Sequence, residues 1–167
     1  MKRTIFLLIF LIVFQKTQAQ NSEVTTYYFI RHAEKVRTDK TNKNPSLTEK
    51  GLLRSQNWST VFSNIKFDEI YSTNYLRTVQ TASPTAQIQG VAIKFYDSKK
   101  LFSKDFQRKT KGKTVLIIGH SNTTPAFVNK VLGYEKYKDI ADGNNSNLYI
   151  VTIINNVKRD IMLKINH

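Results

Sequence analysis

Apolar and polar residues alternate along this chain in two distinct rhythms. Short unbroken runs such as Tyr27-Tyr28-Phe29-Ile30 and Val115-Leu116-Ile117-Ile118 have strand length and are rich in β-branched and aromatic residues, as expected of strands buried on both faces. They predict strands over 25–31, 67–72, 91–96 and 113–119. Between them lie longer stretches of helical character: 48–62, with Leu52, Leu53, Trp58 and Phe62 near one face, then 74–89, 99–109 and 123–132. Ser46-Leu47-Thr48-Glu49 reads as a capping box at the start of the first helix. Pro84 predicts a kink or break in the second, Gly90 its end, and Gly133 the stop of the last. Two closing runs, 148–154 and 157–165, flank Asn155-Asn156 and read as a hairpin. The polar stretch from Lys35 to Pro45 reads as a mobile loop.

The resulting order, β-α-β-α-β-α-β-α-β-β, predicts an α/β fold: a three-layer α/β/α sandwich with a mostly parallel central sheet and a C-terminal antiparallel hairpin. Neither an internal repeat nor a second-domain boundary is evident, and 167 residues suit one ordinary core. The first residues follow another logic. Lys2 and Arg3 precede an apolar run from Ile5 to Phe14, and Thr17-Gln18-Ala19 offers a small-x-small cleavage signal. Residues 1–19 therefore read as a signal peptide and 20–167 as a single domain exported to the periplasm or beyond the cell. Ten apolar residues are too few to cross a bilayer, since that takes roughly 20. No membrane association is expected after cleavage.

Charge changes the picture only slightly. The formal net charge is +14, and removal of Lys2, Arg3 and Lys16 lowers it to +11. The basic residues are scattered rather than gathered into an arm, so they read as solvated surface that attracts anionic substrates, with no nucleic-acid partner. With no cysteine and three histidines in no zinc-binding spacing, neither a disulfide, a metal nor another cofactor is expected.

Chemistry gathers where strands end. The first strand runs into Arg31-His32, the second into Ser72-Thr73-Asn74-Tyr75-Leu76-Arg77, and the fourth into Gly119-His120-Ser121-Asn122. Ligands of parallel α/β sheets bind beyond the carboxyl ends of the strands, so both non-terminal histidines and two arginines converge on one edge. Guanidinium groups grip phosphate oxygens in pairs, and helix starts near Asn74 and Asn122 add backbone donors. A dianion site follows.

These residues resemble the histidine phosphatase superfamily, also called phosphoglycerate-mutase-like: Arg31-His32-Ala33 after a strand, Leu47-Thr48-x-x-Gly51, Arg77-Thr78-x-x-Thr81 at a helix start, and Gly119-His120-Ser121 late in the chain. The resemblance implies a metal-independent phosphomonoester hydrolase acting on a small phosphorylated substrate. His32 would be the nucleophile that becomes a phosphohistidine, with Arg31, Arg77 and His120 holding the phosphoryl oxygens and Asn122 a further substrate contact. Three departures stand out. Ala33 and Thr38 replace the usual Gly and Asn, and Ser121 stands where one branch has an acidic proton donor. The general acid is therefore placed at Asp97, with Asp105 and Glu34 as alternatives. Substrate choice would rest on Lys35–Pro45, Ser98–Lys109 and Gly133–Asn145.

Other readings are a secreted phosphate-binding protein without turnover and a phosphoglycerate-mutase-type phosphotransferase. A serine esterase built on Gly119-His120-Ser121 lacks the required glycine, since Thr123 stands two residues after the serine. The sequence leaves the oligomeric state open.

Overall fold

The computed structural model describes residues 23–166. The leader read at 1–19, and His167, lie outside them. Ten elements follow in the predicted order: β1 Val24–Arg31, α1 Glu49–Val61, β2 Glu69–Ser72, α2 Leu76–Gln89, β3 Ile93–Phe95, α3 Lys104–Thr110, β4 Thr114–Gly119, α4 Thr123–Leu132, β5 Asn147–Ile154 and β6 Val157–Lys164. The six strands form one sheet in the order β3-β2-β4-β1-β5-β6. β3, β2, β4 and β1 are mutually parallel, and β5 then β6 extend the sheet antiparallel. Asn155 and Asn156 close the hairpin with positive φ of 49° and 67°, a backbone that asparagine tolerates.

Each face of the sheet buries its own core. On one side Tyr27, Phe29, Val115 and Ile117 pack against Phe106 of α3 and Phe127, Val128 and Val131 of α4. On the other, Ile30, Leu116 and Ile118 meet Trp58 and Phe62 of α1 and Ala82 and Ala86 of α2. Alternate residues of β1 and β4 thus serve opposite layers, which is why their sequence reads as a continuous apolar run. This is the expected three-layer sandwich.

Local corrections have physical causes. Helix α1 is capped by Thr48, whose side chain accepts from the Gly51 N–H at 3.1 Å, and not by a Ser46–Glu49 exchange. The Ser46 carbonyl instead accepts from Val36 N, beside an isolated Lys35–Leu47 bridge. The stretch 35–45 is therefore tied down at its ends: Pro45 is buried, and Asn44 Oδ1 accepts the Leu76 N–H at 2.8 Å. Leu52 and Leu53 are exposed, because α1 turns Gly51, Ser55, Trp58 and Ser59 inward. Small residues bring the helix close to the chain segment behind it. A Cβ on Gly51 would stand 2.2 Å from the Glu34 carbonyl oxygen. Gly51→Ala is therefore expected to lower stability by about 1–3 kcal/mol, read as a shifted urea midpoint at unchanged slope. Pro84 lies inside α2 without ending it, and α3 begins only at Lys104, where Ser103 accepts from the Phe106 N–H at 3.2 Å. Among the described residues, no helix is long and apolar enough to cross a membrane.

Candidate active site

Register brings the two histidines together. β1 and β4 pair in parallel with Arg31 opposite Gly119, so the next residue of each strand, His32 and His120, leaves the sheet side by side. The His32 N–H donates to the Gly119 carbonyl at 3.0 Å, and the two rings lie 5.5 Å apart between centroids. Neighbouring β2 ends one step earlier, with Ser72 opposite Ile118, and the next residue places Thr73 Oγ1 2.9 Å from His120 Nε2. The loop from β2 into α2 then supplies Arg77 from the first turn of the helix.

A cavity of about 360 Å³ opens at this edge, lined by Arg31, His32, Lys35, Tyr75, Arg77 and Ser98 and closed by His120–Thr123 and Asp142. All four residues expected to hold or attack a phosphoryl group are in it, and so is Asn122, whose side chain caps α4 by accepting from the Thr123 N–H at 2.9 Å. Each segment expected to govern substrate choice contributes a wall: Lys35, Ser98 and Asp142. A larger hollow of about 610 Å³ lies at the far end of β1 but gathers no histidine, and its Lys111 is paired with Glu23. Both His32 and His120 line the smaller one.

His32 is buried, and its Nδ1 lies 2.7 Å from the Ala33 carbonyl oxygen. A carbonyl only accepts, so Nδ1 carries the proton and Nε2 the free lone pair. Burial, together with the charges of Arg31, His120 and Arg77, pushes the His32 pKa down to about 3. The imidazole is neutral across the ordinary pH range, with its Nε2 lone pair free. Its backbone is pinned as well: Asn145 Nδ2 donates to the His32 carbonyl at 2.8 Å, and the Ala33 N–H donates to Thr81 Oγ1 at 2.9 Å. The second contact explains why threonine recurs at the end of Arg77-Thr78-x-x-Thr81.

His120 behaves similarly. Burial first, then Arg77, Lys35 and Arg31, lower its pKa to about 4. Arg77 Nη2 approaches Nδ1 at 3.5 Å, and since a guanidinium only donates, Nδ1 accepts and Nε2–H donates to Thr73.

Both histidines are neutral when folded yet would protonate near their usual value of about 6.5 when unfolded. Stability is therefore present above that value and is lost as pH falls toward the folded pKa values of about 3 and about 4. Each group steepens the loss by about 1.4 kcal/mol per pH unit. Urea midpoints at pH 7 and pH 5 should differ markedly, and the difference should shrink in a His32→Gln, His120→Gln double variant.

The arginines differ from simple clamps. Arg31 Nη1 donates to the carbonyls of Ala141, Asp142 and Asn144 at 3.0, 2.8 and 2.8 Å, and Nη2 donates to Asp142 Oδ1 at 3.0 Å. Only Nε of this buried head lacks a protein partner. Arg77 lies with its guanidinium carbon 4.4 Å above the Tyr75 ring, and its buried Nε and Nη1 have no protein partner. Three buried donors in one cavity, with no protein acceptor, match the oxygens of a tetrahedral oxyanion.

The expected acids are placed elsewhere. Asp97 is exposed, and its Oδ1 accepts the Lys99 N–H at 2.9 Å, although its neighbour Ser98 lines the cavity. Asp105 pairs with Arg108 and Lys109 on α3. Glu34 is held by Arg54 at 2.8 Å, with Lys50 at 3.9 Å. The carboxylate that does line the cavity is Asp142, which the sequence reading placed only within the 133–145 segment expected to govern substrate choice. Hydrogen bonds from Arg37 and Arg31 hold its pKa down to about 2. Among the described residues no cluster of three or more His, Asp or Glu side chains is arranged for a metal ion.

Comparison with known proteins gives the same orientation. Residues 27–98 match the model of the histidine phosphatase superfamily (branch 1). No curated protein matches the chain. Among solved structures, a phosphoglycerate mutase from Bacillus anthracis is similar with a TM-score of 0.64 at 14% identity, over 85% of this chain and 93% of that one. A phosphoserine phosphatase from Entamoeba histolytica in complex with phosphoserine gives 0.61 at 14%, over 84% and 95%. The protein histidine phosphatase SixA complexed with tungstate gives 0.65 at 12%, over 83% and 96%. The segment that matches the histidine phosphatase superfamily spans Arg31, His32 and Arg77, and over it the chain is similar to that family.

Proposed function

We propose that this protein hydrolyses phosphomonoesters through a phosphohistidine formed on His32. The observation that carries the reading is the buried His32, with its proton fixed on Nδ1 and its Nε2 lone pair free beside three unpartnered guanidinium donors. Nε2 attacks phosphorus as the bond to the ester oxygen breaks, and the leaving oxygen takes a proton. Water then attacks phosphorus, the P–N bond breaks, and inorganic phosphate leaves with His32 neutral again. Arg31 Nε and Arg77 stabilise the charge on the transferring oxygens, joined by His120 once its Nε2–H turns from Thr73 to the oxyanion. One structural relative is complexed with tungstate and another with phosphoserine, which supports an oxyanion as the ligand.

Protonation of the leaving oxygen falls to Asp97, which must first release the Lys99 N–H. An acid that is not poised makes leaving-group quality important. Turnover of p-nitrophenyl phosphate between pH 4 and 8, with no added metal, is the primary test. Turnover of an alkyl phosphate should be much slower, and Asp97→Asn should reduce it by a further factor on the order of 10², the usual scale of general-acid help. The aryl ester should lose far less, and Asp105→Asn should alter neither. Equal losses on both esters would rule out Asp97 as the acid. Absence of any turnover would leave phosphate binding as the function.

A further inference from the structure

The cavity carries more positive charge than a phosphoryl group needs. Arg31, Arg77 and Lys35 line it, and Arg37 reaches it through Asp142. Against these four cations stands one carboxylate. A bound phosphoryl dianion together with Asp142 therefore leaves one positive charge uncompensated, while both histidines are neutral.

The geometry shows where that charge is directed. Arg37 grips Asp142 fork to fork, Nη1 to Oδ2 at 2.7 Å and Nη2 to Oδ1 at 2.8 Å, while Arg31 Nη2 touches the same Oδ1 at 3.0 Å. One carboxylate thus bridges the arginine of the phosphoryl pocket and an arginine on the rim. Both partners of the rim pair are open to solvent, Arg37 50% and Asp142 72% exposed, so the pair exchanges readily with other ions. Arg31 does not depend on it, because three backbone carbonyls hold its Nη1. Lys35 forms the adjoining wall and has no ion-pair partner within 4.0 Å among the described residues. Its pKa is lowered by partial burial and by Arg77 and Arg37.

We infer that Arg37 and Lys35 form a second anion site beside the phosphoryl pocket, filled at rest by Asp142 and, in the complex, by a carboxylate of the substrate. The preferred substrates are phosphoesters whose carboxylate lies within a few bonds of the phosphoryl group. A carboxylate is favoured over other anions because the resident group is one, held in the planar two-point geometry that a guanidinium offers. This inference rests on the phosphatase reading of the same pocket.

Binding calorimetry on the full chain carrying His32→Ala, which cannot turn over, separates the two ideas. Phosphoglycolate and ethyl phosphate are the probes, since the first carries a carboxylate where the second has a methyl group. Phosphoglycolate should bind about tenfold more tightly, as a charge-assisted two-point contact implies. Arg37→Gln should bring the ratio close to one, Lys35→Gln should lower it, and Asp142→Asn should raise it by removing the internal competitor. Equal affinities in the parent, or a ratio that survives both Arg37→Gln and Lys35→Gln, overturn the second site. Failure of ethyl phosphate itself to bind strikes instead at the phosphoryl pocket, and so at the proposed function.

Discussion

His32→Ala is expected to abolish turnover of p-nitrophenyl phosphate, with a loss in kcat of about 10⁴-fold or more, the scale on which a covalent nucleophile is missed. Wild-type protein mixed with substrate and quenched in alkali should carry a phosphoryl group on His32, since phosphohistidine survives base and decays in acid. The variant should carry none. The ring is buried, its Nδ1 faces the Ala33 carbonyl, and its pKa is pushed down to about 3. A free lone pair on Nε2 is thus present in nearly every molecule at neutral pH. His120→Ala should lose much less, because His120 contributes stabilisation and not the bond itself. A phosphoryl label that persists in His32→Ala would overturn the assignment.

Arg77→Met is expected to slow kcat/KM by about 10²–10³-fold, the usual consequence of removing one preorganised donor from a developing oxyanion. It should also make the folded protein more stable. Arg77 holds Nε and Nη1 buried without a protein acceptor, stacked on Tyr75 in a cavity that already contains Arg31. Such a cation is costly in the free protein and useful only when an anion is bound. Kinetics and a thermal melt on one preparation check both halves. Arg77→Lys should recover little of the rate, because an ammonium cannot present two fixed donors. Loss of activity together with loss of stability would make Arg77 a structural residue.

The same local logic explains which parts of the fold were legible in the chain itself. Tyr27–Ile30 and Val115–Ile118 are apolar at every position, so any fold that uses them must cover both sides, and a three-layer α/β sandwich follows. The hairpin at Asn155-Asn156 was equally readable, since few residues other than glycine accept two successive positive φ values. The face of α1 was not readable. Leu52 and Leu53 look like core and are exposed, because the approach of Gly51 to the Glu34 carbonyl decides which way the helix rolls. That contact joins residues from different elements, and helical periodicity carries no trace of it.

The site divides along the same line. His32, Arg31, Arg77, His120 and Asn122 follow strands or open helices, and a parallel sheet delivers such residues to one edge whatever its loops do. Sequence by itself therefore determined the edge and the two histidines and two arginines that gather there. Tertiary structure alone decided the tautomer of His32, the transfer of Arg31's Nη1 to three loop carbonyls, and the place of Asp142 in the cavity wall. The reason is physical. Strand ends are positioned by repeating backbone hydrogen bonds that any apolar run announces, whereas residues 140–145 are positioned by irregular contacts to Arg31, His32 and Ser121, more than 15 residues away along the chain at the least.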